Sequence, residues 1–484
     1  MIPLVLHLTS ILRMVAINLD RDPTLTAQSA SAATEEEGNV SFVENTGNVL
    51  REAFNKCIQR ARPTQPPTPN SLSSGLYLIL NSCMSLYNRA GKLRNAEFLL
   101  GTLDKTSPPL SYYPASQRVT YLYFLGKFHF SSNHFCRAIT TLQSAYDQCA
   151  KNSACLKQRR LILIHLIAAG LCVGRLPNRI LIVDQAAHSI SKPFLELSRI
   201  IRSGNIGRFH TYLDYTLPDN TSAQWFLRMG ILLQLRNRCE ILCWRSLILQ
   251  AMRHAGFLGS ADRQSSMPYV RFTAISDAAT FSYARARKQV QMSQESQPQP
   301  NGAAASSIVS LDEQDNDYVD PDFADGDEND QEDYDNDGAS TPGFGQSPHA
   351  DTDTASDSDA THLPLPPPTP AELNSVMLSL ISQGFLKGFV SHTYPDLLQS
   401  RFAIPGIRAS ARVAAAAGTG PQHAWREVGF PSVWDVVREG EGEAGADVPG
   451  WMTEGKVRRR EEERASGGGG RVIRITGAKP AGMV

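Results

Sequence analysis

Residues 382–392 read SQGFLKGFVSH, and the fold turns on whether this stretch grips a phosphate or rounds a corner. A lysine between two glycines suggests an anion loop. The phosphate-loop pattern, G-x-x-x-x-G-K-[ST] after a strand, is absent. FLKGFVSH instead alternates at period two, which predicts a strand. Just upstream, TPAELNSVMLSLISQG (369–384) predicts a helix: Thr369 caps it, Pro370 takes the first helical position, and Glu372 completes a capping box. Leu373, Val376, Met377, Leu380 and Ile381 form its apolar stripe, and Gly384 ends it. Downstream, TYPD makes a turn and LLQSRF returns as a second strand, while MPYVRFTAISDAATFSYARARK (267–288) reads as an earlier helix after a short turn. Helix, helix, strand, turn, strand is the order of a winged helix. SQGFLKGFVSH is therefore the corner at which its last helix enters its first wing strand.

From Leu72 to Gly256 the periodicity is helical with short breaks. LYLILNSCMSLYNRAG (76–91) gives one helix, and QRVTYLYFLGKFHF (117–130) with FCRAITTLQSAYDQC (135–149) gives a hairpin around SSNH. Gly126, Ala138 and Ala145 alternate with Tyr123, Phe128, Phe135 and Leu142. Small residues let two helices approach while aromatics fill the flanks, the logic of tetratricopeptide-like hairpins. Residues 157–173 follow, stopping at Gly174; FLELSRIIRSGN (194–205) ends in Gly204, with Asn205 placed to cap its successor; residues 222–256 supply two more helices. The fold class is mainly α: a TPR-like α-solenoid of helix pairs (72–260) followed by a winged helix (261–288 plus 369–402).

The remaining segments are polar. Residues 1–71 read as largely disordered, with a linker at PTQPPTPN (63–70) and a helix beginning near Val49. The opening MIPLVLHLTSILRMVAINLD lacks a basic start and a small-residue cleavage site, so it reads as a weak amphipathic helix or a mispredicted first exon. Residues 289–368 form an acidic insert within the winged helix, and 403–484 a mostly disordered tail. The net charge of −1 hides an asymmetry. Residues 311–360 hold 18 Asp and Glu without Lys or Arg, and the insert takes 19 of the 48 acids, leaving 29 against 47 basic residues. So basic a remainder suits an anionic partner: nucleic acid, an acidic peptide, or the insert itself acting as a nucleic-acid mimic over the wing.

Several motifs mislead. DYDNDG (333–338) imitates a calcium loop, but its twelfth position is Phe344 rather than a bidentate Glu. GEGEAG (440–445) matches a dinucleotide fingerprint whose glutamates would repel a pyrophosphate. Eight cysteines occur without a C-x-x-C, although Cys239 and Cys243 share a helical face and Cys149 and Cys155 lie six apart. No Ser/His/Asp order, metal motif or phosphate loop stands in a fitting context, so the sequence predicts no enzyme, no metal, no cofactor and no small-molecule substrate. No run reaches the ~18 apolar residues of a membrane span.

The stretches ASQRVTYLYFLGKFHF (115–130), Ala138 to Cys149, KQRRLILIHL (157–166), GRLPN (174–178), FLELSRIIRSGN (194–205) and GFLKGFVSH (384–392) resemble the PCI-domain family. The resemblance is to its branch of the TREX-2 messenger-export PCI subunit and the COP-nine signalosome subunit 12-like proteins, and it covers roughly residues 72–402 without the insert. It implies a non-catalytic scaffold of the nucleus, or of nucleus and cytoplasm. The partners it implies are a second large PCI-type subunit docked through the winged helix, a small acidic peptide of the Sem1/Dss1 kind, and RNA or DNA. The insert and the tail depart from the family pattern.

Three groups of basic residues are candidate sites. Lys387, His392 and Arg401 flank the wing, where basic side chains meet phosphates largely without regard to sequence. Arg285, Arg287 and Lys288 close the 267–288 helix, serving either the same surface or the helix C-terminus. Lys157, Arg159 and Arg160 open a core helix, where positive charge opposes the dipole, a mismatch that points to a partner with acidic groups, such as the acidic peptide.

Overall fold

The computed structural model describes residues 2–21, 41–61, 67–68, 71–177, 184–188, 190–217, 220–255, 268–295, 366–393, 397–404 and 428–441. The acidic run at 311–360 and the calcium-loop imitation at 333–338 lie outside them. Two compact units divide between Tyr121 and Leu122.

The first unit begins with α1 (Ile2–Arg21) and α2 (Phe42–Arg60), which pack on each other and on α3 (Leu76–Arg89). Residues 2–21 and 42–60 are thus helical, which corrects for those residues the expectation of a largely disordered N-terminal segment. The α2 helix starts at Phe42, ahead of Val49, because Ser41 caps it: its hydroxyl accepts from Val43 N–H and donates to Asp20 at 2.8 Å. Leu50 and Phe54 of α2 are fully buried, and Gly47 admits the Tyr87 ring. Then come α4 (Leu93–Thr106) and the first turns of α5 (Ala115–Ser131). Tyr77 meets the Tyr113 and Tyr121 rings edge-on at 4.5 and 5.0 Å, and its hydroxyl is hydrogen-bonded to Ser107 at 2.9 Å.

The second unit carries the rest of α5 and α6 (Phe135–Gln148) as the expected hairpin. A Cβ on Gly126 would lie 2.5 Å from Leu142, so α5 and α6 approach as closely as the small residues suggested. The turn is closed by Asn133 in the left-handed region (φ 62°). Helix α7 (Leu156–Cys172) is buried on nearly every side. After it come α8 (Ser191–Ser203), α9 (Ile206–Tyr212), α10 (Thr221–Arg228) and α11 (Leu232–Ala255). Gly204 ends α8 at φ 69°, and the Asn205 side chain caps α9 by accepting from Arg208 N–H.

His129, near the end of α5, gives this unit an acid-sensitive core. It is 6 % exposed, and burial, followed by the charges of Arg137 and His134, pushes its pKa down to about 4 from 6.5. Because the unfolded chain takes up the proton first, stability falls as pH drops from about 6.5 through about 4. The loss reaches at most roughly 3 kcal/mol. Urea midpoints of His129→Phe are expected to be flatter across that window than those of the parent chain.

The winged helix comprises β1 (Tyr269–Arg271), α12 (Phe272–Glu295), α13 (Pro370–Ser382), β2 (Phe389–Ser391) and β3 (Arg401–Ala403). The sheet is antiparallel in the order β1-β3-β2. Three differences from the sequence reading stand out. The short turn before the first helix is a strand, β1, which pairs with β3. The LLQ of LLQSRF makes a 3₁₀ turn, so β3 starts only at Arg401. Helix α12 continues past Lys288 to Glu295. The capping box at Thr369 and Glu372 is present as expected.

Residues 428–441, placed in the tail by sequence, form an ordered strap ending in α14 (Val433–Gly440). Glu441 accepts the Cys136 N–H at 3.1 Å through both carboxylate oxygens, at the positive end of α6. Arg175 stacks on Trp434 at 3.5 Å. Arg245 of α11 donates to Pro431 O at 2.7 Å and to Phe385 O at 3.2 Å, tying strap, wing and solenoid helix together.

Candidate functional site

The wing sheet presents one face to solvent. In register, Arg271 lies opposite Arg401, which lies opposite Ser391; Tyr269 lies opposite Ala403, which lies opposite Phe389. The intervening row, Val270, Phe402 and Val390, points to the other face, where Val270 and Phe402 are fully buried. The outer face thus gathers two exposed arginines, a tyrosine and a phenylalanine that is 44 % exposed. The Arg401 guanidinium sits 5.0 Å from the Tyr269 ring centroid. Like charges directly opposed across a sheet are destabilising. A cation–π contact offsets part of that for Arg401, and a bound anion would offset more.

The predicted wing residues divide across this sheet. Exposed His392 follows Ser391 directly and so joins the Arg271–Arg401 end. Lys387 is exposed at the opposite end of β2, outside any strand, where its N–H donates to Gly429 O of the strap at 2.9 Å. Arg285, Arg287 and Lys288 are not at a helix end, since α12 runs on to Glu295, so the helix-terminus reading falls. Arg285 and Lys288 are exposed on one stripe with Phe281 and Met292, which are 68 % and 66 % exposed, while Arg287 is half-buried. At 1.5 Å per residue, Arg285 lies roughly 20 Å along α12 from Arg271. The two groups are separate features of the winged helix, not one cluster.

Arg271, Tyr269 and Phe389 were missed as site residues. Their signal, the alternation in YVR, spans only three residues.

In the third group, Arg159 is corrected. Arg159 is 3 % exposed and is consumed within the fold: it donates to Cys149 O at 2.9 Å and Tyr146 O at 3.2 Å, pairs with Asp184 at 2.9 Å, and lies 4.1 Å from the Tyr146 ring centroid. The acidic group that its position called for is Asp184 of the same chain. Burial alone would raise the Asp184 pKa, but hydrogen bonds from Tyr146, Ala186 N–H and Arg159 hold it below the usual carboxylate range. Lys157 is exposed and Arg160 half-buried. Among the described residues, no group of three or more His, Cys, Asp or Glu is placed to hold a metal ion, and no helix is long and apolar enough to cross a membrane.

The junction between solenoid and winged helix is polar and tight. Gly207 N–H donates to the Ser282 hydroxyl at 2.9 Å, which donates to Asn205 at 2.6 Å. His210 is hydrogen-bonded to Tyr283 at 3.0 Å and to Glu240 at 3.1 Å, and the latter bond holds the Glu240 carboxyl below its ordinary range.

The chain is similar to several curated proteins. The chain is 28% identical over 235 residues to a PCI domain-containing protein of Schizosaccharomyces pombe, covering 49% of each. It is 26% identical over 199 residues to a PCI domain-containing protein 2 homolog of Dictyostelium discoideum, covering 41% of this chain and 43% of the relative. It is 26% identical over 242 residues to a CSN12 homolog of Neurospora crassa, covering 48% and 50%. These likenesses support a PCI-domain family assignment. No family model matches it, and it spans about half the length of these curated relatives. The helices and the three-stranded wing are compatible with a PCI helical solenoid and its winged-helix sheet, and the wing is where the exposed arginines stand.

Proposed function

We propose that this PCI protein is a non-catalytic scaffold of a nuclear multi-subunit complex of the TREX-2 kind, coupling transcription to messenger export, with the outer wing face contacting nucleic acid. The observation that carries this reading is the opposed pair Arg271 and Arg401, flanked by Tyr269 and Phe389. Guanidinium groups fit phosphates in fork geometry, and aromatic faces accept unstacked bases. The apolar and basic stripe of α12 (Phe281, Arg285, Lys288 and Met292) suits a second PCI-type chain, and a Sem1/Dss1-like acidic peptide belongs to the same reading. A second reading, favoured by the likeness to a CSN12 homolog, is a signalosome-associated scaffold with no nucleic-acid role.

Single-stranded RNA binding followed by fluorescence anisotropy at several salt concentrations separates the two. Arg271→Ala and Arg401→Ala are each expected to weaken binding and to take about 0.7 off the slope of log affinity against log salt. An unchanged slope in the double variant would remove the nucleic-acid role. Nuclease-treated affinity purification then distinguishes export factors from deneddylase subunits among the bound proteins.

A further inference from the structure

Two thiols meet at the turn between α6 and α7. Cys149 is the C-cap of α6 and Cys155 the N-cap of α7, with only residues 150–154 between them. Arg159 fixes their approach. It stands one helical turn beyond Cys155 on the same side of α7 and donates to the Cys149 carbonyl at 2.9 Å, which draws the end of α6 against that face. The Cys149 thiol accordingly has Cys155 and the Arg159 guanidinium as its charged or polar neighbours.

The two sulfurs are unlike. Cys155 is partly exposed at the start of a 17-residue helix, so peroxide in solution can reach its sulfur. Cys149 is buried, and burial pushes its thiol up to about 11. The other cysteines, Cys57, Cys83, Cys136, Cys172, Cys239 and Cys243, are all buried. Cys172 and Cys239 also neighbour each other, but wholly inside the core.

We propose that Cys149 and Cys155 form a peroxide-reactive dithiol that closes to a reversible disulfide, Cys155 attacking and Cys149 resolving. The Cys155 thiolate attacks one peroxide oxygen. The O–O bond breaks, the departing hydroxide takes up a proton to leave as water, and Cys155 becomes a sulfenic acid. The Cys149 sulfur then attacks the Cys155 sulfur, the S–O bond breaks, and a second water leaves with the Cys149 proton. In sum, two thiols lose two electrons and two protons, and one peroxide is reduced to two waters. The Arg159 guanidinium favours the anionic form of the Cys149 sulfur in the second step.

Lys151 lies between the cysteines, so trypsin separates them and a disulfide joins two peptides. The full chain is titrated with hydrogen peroxide, free thiols are alkylated, and the digest is read by mass spectrometry. The expected result is the joined pair, two hydrogens lighter than its parts, appearing before any other cysteine changes and lost on dithiothreitol treatment. Cys155→Ser should abolish this first oxidation. Cys149→Ser should leave a sulfenic acid at Cys155, trapped by dimedone, that proceeds to sulfinic acid. Serine is nearly isosteric, and circular dichroism melts identify any variant that fails to fold; for such a variant, wild-type kinetics decide alone. Overoxidation of wild-type Cys155 without the pair, earlier reaction of another cysteine, or simultaneous reaction of all eight would overturn the proposal.

Discussion

Gly207→Val should loosen the winged helix from the solenoid and lower the stability of the second unit by about 3 kcal/mol or more, toward or beyond the upper end of overpacking costs. A Cβ at Gly207 would lie 2.7 Å from Ser282 O and 2.8 Å from Tyr283 Cα. Those are backbone atoms and have no rotamer by which to yield. Carbon contacts are comfortable only at about 3.5–4.0 Å, so α9 and α12 must part by roughly 1 Å. That separation also stretches the Gly207 N–H to Ser282 bond at 2.9 Å and the His210–Tyr283 bond at 3.0 Å. Urea unfolding gives the magnitude, and faster amide exchange along α12 gives the location. Gly101→Ala is the contrast: nothing lies within 4 Å of its Cβ position, exposed on α4, so helix propensity alone acts. A gain of up to about 1 kcal/mol is expected there. Equal effects of the two substitutions would mean that the junction is not close-packed in solution.

Arg159→Ala should cost about 3–5 kcal/mol, the range for removing one partner of a buried ion pair. It strands two carbonyls, Tyr146 O and Cys149 O, and leaves Asp184 without its cation while the Tyr146 ring loses its stacked guanidinium. Asp184 is partly exposed, at 21 %, so water can solvate it once Arg159 is gone, which favours the lower end of the range. A double-mutant cycle with Asp184→Ala is expected to show a coupling of order 1–3 kcal/mol, because the two residues share one network. Lys157→Ala, exposed two residues away, should stay within about 0.5 kcal/mol. If Arg159→Ala and Lys157→Ala were alike, Arg159 would be a surface charge and its reading as a partner residue would return.

The helical part of this fold was legible because its signals are local. Gly204 with Asn205, and Thr369 with Glu372, encode helix stops and starts in neighbouring residues, and the structure uses each as written. The parts that were not legible depend on distant residues. Strand β1 is three residues long and is defined by a partner far along the chain, so period-two alternation had too few positions to register, and Arg271 was lost with it. Arg159 carried a correct signal, a positive charge at the wrong end of a helix, but its acid, Asp184, lies 25 residues away beyond α7. The strap fell within the tail by sequence, because its seat is built from α6, α11 and the wing, which no single window contains.

The split winged helix has a consequence for synthesis. The hairpins of the solenoid need only neighbours and can close as they leave the ribosome. Strand β1 and the buried side chains of Val270 and Phe272 emerge roughly 130 residues ahead of β3, a wait on the order of ten seconds at ordinary translation speeds. The strap follows later still. The nascent chain therefore passes through a stage in which α12 can already rest on α9 at Gly207 while its sheet is missing. In that interval the half-made wing depends on the brevity of β1, three residues of open edge, to limit mispairing with other chains.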